Sequence, residues 1–134
     1  MEAISLIEVY IDGASSGDPG PSGAGIFIKN NGVVERYAIP LGVMSNHEAE
    51  YAALVKALEI CKKNGYQIVS VRTDSQAVDR AVEKRYAKKE IFNRWLEQAL
   101  ALMDQFDLCF LKWIPNSQNS VADELARKAV QLNK

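Results

Sequence analysis

The chain has 134 residues, enough for one domain that buries roughly two thirds of its unfolded surface. At 48% apolar and 25% charged residues, with no biased tract, it has the composition of an ordinary soluble globular protein, and no apolar run is long enough to span a membrane. A net charge of −1 gives no general attraction to nucleic acid, so binding of that kind needs a local basic face. The opening Met1-Glu2-Ala3-Ile4-Ser5 lacks the cationic and apolar regions of a signal peptide. Cys61 and Cys109 lie in apolar surroundings without a nearby Cys or His, which predicts buried thiols rather than a disulfide or zinc site. The expected setting is therefore reducing and cytoplasmic.

Residues 4–12 are apolar and β-branched and predict a strand that ends on a lone carboxylate, Asp12. A loop rich in Gly and Pro follows, from Gly13 to Gly23. Residues 24–29 and 33–39 predict two further strands joined by a turn at Asn30-Asn31-Gly32, with Pro40 and Gly42 closing the meander. Ser45-Asn46-His47-Glu48 has the spacing of a capping box. It opens a helix that stacks Tyr51, Leu54, Val55, Leu58 and Cys61 on one stripe and ends at Asn64-Gly65. Residues 67–73 predict a fourth strand with Asp74 just past its end, then a short helix from Gln76 to Val82 capped by Asp74 or Ser75. A longer helix runs to about Asp104 and is expected to bury Ile91, Trp95, Leu96, Ala99, Leu102 and Met103. Residues 108–114 predict a fifth strand, with Trp113 in the core. Residues 121–132 predict a closing helix with Leu125, Ala126, Ala129 and Val130 inward. With no repeat or linker, residues 1–134 are expected to form one α/β domain, a five-stranded mixed sheet with helices on its faces.

A carboxylate at the tip of a central strand is costly to bury unless a cation meets it. The plain alternative for Asp12 is a residue that opens a turn, as in any Asp-Gly pair. Three other acids share its topological setting. Asp74 follows the fourth strand, where open α/β sheets bind ligands. Glu50 lies near the start of the alanine-rich helix and Asp123 in the first turn of the last one, where the dipole favours anions. Four converging carboxylates cannot all stay ionised without cations, and hard oxygen ligands suit Mg²⁺ or Mn²⁺. Such a metal pair is the standard device for in-line phosphoryl displacement. Spacing alone leaves the convergence open, since any of these acids can equally be a solvated surface residue.

Asp12-Gly13-Ala14 with Pro19-Gly20-Pro21 and Gly23, Ser45-Asn46-His47-Glu48-Ala49-Glu50, Thr73-Asp74-Ser75-Gln76, and Asn119-Ser120-Val121-Ala122-Asp123-Glu124-Leu125-Ala126 together resemble the type 1 ribonuclease H family. The resemblance spans essentially the whole chain. It implies the ribonuclease H-like fold and metal-dependent hydrolysis of the RNA strand of RNA–DNA hybrids, leaving 5′-phosphate and 3′-hydroxyl ends. It also implies that Asp12, Glu50, Asp74 and Asp123 are the metal-binding catalytic tetrad for two Mg²⁺ or Mn²⁺ ions. Asp12 would bridge both ions, Asp123 would serve the ion that activates water, and Glu50 and Asp74 the ion near the leaving oxygen. By the same resemblance Gly13 and Glu50 lie near 2′-hydroxyls, Asn46 and Gln76 enter the minor groove, and Ser45 holds a DNA-strand phosphate. The implied partner is the hybrid itself, bound by a monomer, with no membrane and no obligatory protein.

The sequence departs from the family pattern in several places. The loop Pro115-Asn116-Ser117-Gln118-Asn119 lacks the His that many members carry there, and Asn116 or Ser117 stands where a shorter subgroup has Arg. Asp18 replaces an Asn of the glycine loop and would repel a phosphate. His47, the only His, sits where a hybrid contact is usual, although a partly exposed helix-end His reads equally as structural. The long basic protrusion is absent. Lys84, Arg85, Lys88, Lys89 and Arg94, with Tyr86 and Phe92 among them, are either a reduced substitute or a solvated helix face over core aromatics. Two alternatives to the enzyme follow: a nucleic-acid-binding relative with weak or no catalysis, and another metal-dependent nuclease on this fold.

Overall fold

The computed structural model describes residues 5–134. The first strand, β1 (Leu6–Ser15), lies at the centre of a five-stranded sheet ordered β3-β2-β1-β4-β5. β2 (Gly20–Asn30) pairs antiparallel with β1 and with β3 (Val33–Met44), whereas β4 (Ile68–Thr73) and β5 (Leu108–Trp113) extend the sheet in parallel on the other side. Ile7, Val9 and Ile11 alternate along β1 and are buried, as a period of two requires. The turn between β2 and β3 forms at Asn31 and Gly32, with φ of 50° and 82°, the left-handed pair that matches hairpin twist.

Four helices cover the sheet: α1 (Asn46–Lys63), α2 (Gln76–Lys84), α3 (Glu90–Met103) and α4 (Ser120–Leu132). α1 crosses β1 and β2 and carries α3 on its outer side, while α4 packs against β1, β2 and β3. Gly13 and Gly25 show that α1 and α4 lie on opposite faces. A Cβ on Gly13 would strike the Ala49 carbonyl of α1, and one on Gly25 the Ala122 carbonyl of α4. Gly25 is the register partner of Asp12, and neighbouring residues 12 and 13 point to opposite faces. Among the described residues no helix is long and apolar enough to cross a membrane.

The helical stripes follow their periodicity. Tyr51, Leu54, Val55, Leu58 and Cys61 are all buried, and so are Ala126, Ala129 and Val130 of α4, with Ala122 taking the place expected of the half-buried Leu125. Other expectations need correction. The start of the first strand, at Ile4, lies outside the described residues. β2 begins at Gly20 and β3 runs through Pro40 and Gly42 to Met44, because a register shift at Ser22/Gly23 lets the proline sit in the ladder without breaking it. Ile91 is 48% exposed at the start of α3, where the neighbouring α1 and α2 leave it uncovered; the buried positions are Leu96, Ala99 and Leu100. Trp113 is not core: at the last position of an edge strand it is 39% exposed.

Candidate active site

Four chain segments deliver one carboxylate each to the same end of the sheet. β1 carries Asp12, whose neighbour Ile11 is the register partner of Thr73, so Asp74 leaves β4 beside it. The missing side chain at Gly13 lets α1 descend until Ala49 and Glu50 lie over β1. The missing side chain at Gly25 lets Ala122 reach the sheet from the other face, which sets Asp123 of the first turn of α4 next to Asp12.

Hydrogen bonds fix the individual groups. The Gly13 N–H donates to Asp12 Oδ1 at 3.0 Å. Asn46 Nδ2 donates to Glu50 Oε1 at 3.2 Å, and His47 Nδ1 stands 3.6 Å from the same oxygen. Asn119 Nδ2 donates to the Ile11 carbonyl at 2.8 Å and to Asp74 Oδ2 at 3.3 Å, tying the ends of β1 and β4 together. The Trp113 indole N–H donates to the Asp74 carbonyl at 3.1 Å. Arg127 Nη2 holds Asp123 Oδ2 at 2.6 Å across one turn of α4.

Burial raises the Asp12 carboxyl from 3.8 to about 8, and the charge of Asp74, a hydrogen bond with Asp123 and the charges of Asp123 and Glu50 push the same way. Burial also raises Glu50, a shift opposed by a Ser75 hydrogen bond and by His47. Asp74 is raised by burial and by the charge of Asp123, against the Asn119 hydrogen bond. No Lys or Arg among the described residues lies within salt-bridge distance of Asp12, Glu50 or Asp74. Asp12 in this field favours its protonated form unless a cation arrives, and the all-oxygen donor set fits a hard divalent ion. As the side chains stand, no three carboxylate, imidazole or thiol groups among the described residues close on one point. Such an open arrangement suits Mg²⁺, which keeps several waters and substrate oxygens in its shell.

The other expected contacts surround this cluster in part. Ser45 caps α1 through its hydroxyl, which accepts from the Glu48 N–H at 3.1 Å. The capping box is only half formed, because the Glu48 carboxylate instead accepts from Trp95 Nε1 at 2.9 Å and pins α3 to α1. Ser75, rather than Asp74, caps α2 by accepting from the Val78 N–H at 3.2 Å. Gln76 is exposed at the first position of α2, one residue beyond that cap. His47 is exposed, as a helix-end residue should be. Asp18 lies exposed on the loop after β1, and Asn116 opens an exposed 3₁₀ turn, Asn116–Gln118. Lys88 and Lys89 line a groove of about 310 Å³ between α1, α2 and α3, floored by Tyr51 and Phe92, whose rings stack 5.2 Å apart. Of the cationic cluster, Lys84, Lys88 and Lys89 line this groove, with Lys89 Nζ 5.7 Å from the Phe92 ring, whereas Arg85 and Arg94 pair with Asp104 and Glu90.

Two site residues escaped the sequence reading. Asn119 precedes a helix and looks like a cap, yet it makes no capping bond and is 1% exposed beneath the cluster. Its signal was a polar residue wedged between a loop and an alanine-rich helix. Trp113 looked like core because indoles usually are.

A family model described as "Reverse transcriptase-like" matches residues 10–129. A protein of Enterococcus faecalis named "Putative hydrolase EbsB" is 39% identical over 128 residues, 94% of this chain and 95% of its own. Ribonuclease HI of Halobacterium salinarum is 32% identical over 92% of this chain, which spans 64% of that protein's length. The crystal structure of RNase H1 from the same archaeon superimposes with a TM-score of 0.89 at 31% identity, covering 94% of this chain and 98% of that one. LC11-RNase H1, solved in complex with RNA/DNA hybrid, gives a TM-score of 0.86 at 28% identity, covering 94% and 97%.

Proposed function

The chain belongs to the reverse transcriptase-like family and, within it, to the type 1 ribonucleases H, and on that premise we propose that it is a divalent-metal-dependent endoribonuclease that cuts the RNA strand of RNA–DNA hybrids. The observation that carries the proposal is the setting of Asp12, a half-buried acid beside Glu50, Asp74 and Asp123 with no Lys or Arg among the described residues within salt-bridge distance of it. Asp12, Glu50, Asp74 and Asp123 would hold Mg²⁺ or Mn²⁺, which when bound supplies an activated water and a clamp on the charge of the scissile phosphate. The protein's own contribution is placement. Asn119 fixes Asp74 against the end of β1, and Asn46 fixes Glu50. Ser45, Gln76 and the Gly13 backbone border the same end of the sheet, where minor-groove recognition by shape and 2′-hydroxyls would occur. Lys88 and Lys89 on their aromatic groove would attract the DNA strand's phosphates.

The protein would act as a monomer in a reducing, cytoplasmic setting. Two unpaired thiols support that setting, Cys61 and Cys109, which burial pushes up to about 12 and about 11. A second reading, binding of hybrid with weak or no catalysis, draws on the 3₁₀ turn Asn116–Gln118, which offers no titratable side chain for proton transfer. Cleavage of an end-labelled hybrid duplex in Mg²⁺ and in Mn²⁺, with Asp74→Asn alongside, separates the two. RNA-strand cuts that vanish in Asp74→Asn establish the enzyme. Folded protein that binds hybrid without cutting in either metal leaves the second reading.

A further inference from the structure

On its own face of the sheet, α4 packs against the end near Asp12, where Gly23 and Gly25 admit it. Beyond that helix the register lines up one residue from every strand in a single row: Arg36, Phe27, Tyr10, Arg72 and Lys112. Neighbouring strands are about 4.8 Å apart, so the row runs roughly 19 Å across the sheet. Arg36 lies 5.2 Å from the Phe27 ring, Arg72 lies 5.3 Å from the Tyr10 ring, and the two rings are 5.9 Å apart. Lys29, from the next row, reaches over both rings at 5.3 and 5.6 Å.

This face has unspent charge. Lys29, Arg36 and Lys112 are exposed, and none has a carboxylate within salt-bridge distance among the described residues. Glu8, the one acid in these two rows, is already paired with Arg72 at 3.1 Å, while Arg72 Nε is buried without an acceptor. Where the row meets the start of α4 there is a cavity of about 130 Å³, lined by Tyr10, Phe27, Lys29 and residues 118–122. Asn119 borders it, nine-tenths buried and more, with its Oδ1 lacking a donor. The first-turn amides of α4 open at the same place.

We propose that this row is a second nucleic-acid surface, which binds a single strand outside the cleavage site. A single strand matches each feature. Phosphates meet the exposed Arg36, Lys112 and Lys29 and the α4 amides, and a base face meets the half-buried Tyr10 ring, which Phe27 backs from its buried position. A duplex is too wide and stiff to lay its bases on a sheet, and a run of Asp and Glu side chains has no flat rings to stack. The inference stands on these contacts alone and holds whether or not the protein cleaves hybrids.

Fluorescence anisotropy with labelled dT₁₂ in EDTA, at several salt concentrations, tests it. Three proteins are compared: wild type, Arg36→Gln/Lys112→Gln, and Lys88→Gln/Lys89→Gln. The first pair is expected to weaken dT₁₂ binding roughly tenfold and to flatten the salt slope by about 1.4, the loss of two phosphate contacts. The same pair should leave cleavage of a short blunt hybrid unchanged. Equal dT₁₂ binding by wild type and that variant overturns the proposal, as does a loss confined to the Lys88/Lys89 variant. Displacement of dT₁₂ by polyglutamate as readily as by unlabelled dT₁₂ also overturns it, in favour of an acidic protein partner.

Discussion

Asp12 concentrates the electrostatic cost of the site in one proton. Its folded-state value of about 8 lies above the ordinary 3.8, so between those values the native state holds a proton that the unfolded chain has released. Stability from this group is therefore complete below about pH 4 and is lost as the pH rises through 8. Glu50 and Asp74 are shifted in the same direction. Metal-free protein should melt several degrees lower at pH 8 than at pH 5 by calorimetry, and Asp12→Asn should remove most of that difference. A wild-type midpoint that rises over this range would contradict the assignment. Asn119 acts through its neighbours. Removing it in Asn119→Ala strands the Ile11 carbonyl and frees Asp74, at a cost of about 1–3 kcal/mol in urea unfolding. In hybrid cleavage kcat should fall while KM changes little, the signature of a positioning residue.

Gly13 and Gly25 decide how close α1 and α4 come to the central strand, and thereby whether four carboxylates share one space. Gly25→Ala drives a methyl group into the Ala122 carbonyl. The expected cost is about 1–3 kcal/mol from overpacking, with cleavage lost even at temperatures where circular dichroism shows an intact fold, because Asp123 moves with α4. Much of this architecture was legible in the chain. The stripes of α1 and α4 follow a period of 3.6, and the alternation of β1 follows a period of two, because one-sided burial imposes both. That Asp12, Glu50, Asp74 and Asp123 meet at one end of the sheet was legible through motif order rather than spacing, since sequence distance does not say that two glycines let two helices close in. The exposed Ile91 and Trp113 were misread because side-chain type reports a preference for burial, while an edge strand and a helix start decide whether anything covers it. The half-formed capping box has the same origin, as Trp95 competes for the Glu48 carboxylate from a different helix.

Asp12, Glu50, Asp74 and Asp123 come together only in the folded chain, so a divalent ion that they hold would link its occupancy to stability. Mg²⁺ at a hundredfold excess over its dissociation constant should stabilise wild-type protein by about 2.7 kcal/mol and leave Asp12→Asn unmoved. The gain should be larger at pH 8, where Asp12 gives up its proton more readily, than at pH 5. Differential scanning fluorimetry with and without EDTA reads both, and an equal shift in Asp12→Asn would place the ion elsewhere.

The central position of β1 has a bearing on synthesis. It leaves the ribosome before the other four strands, and β2 and β3 can zip onto one of its edges as a local meander. Its other edge waits for Ile68–Thr73, which follow only after the whole of α1. At about 5–20 residues per second that interval is on the order of seconds. Throughout it, Val9 and Ile11 sit on a strand whose backbone is unpaired on one side, a template for another nascent chain. A fragment that ends between Met44 and Ile68 is therefore expected to self-associate more readily than the whole chain.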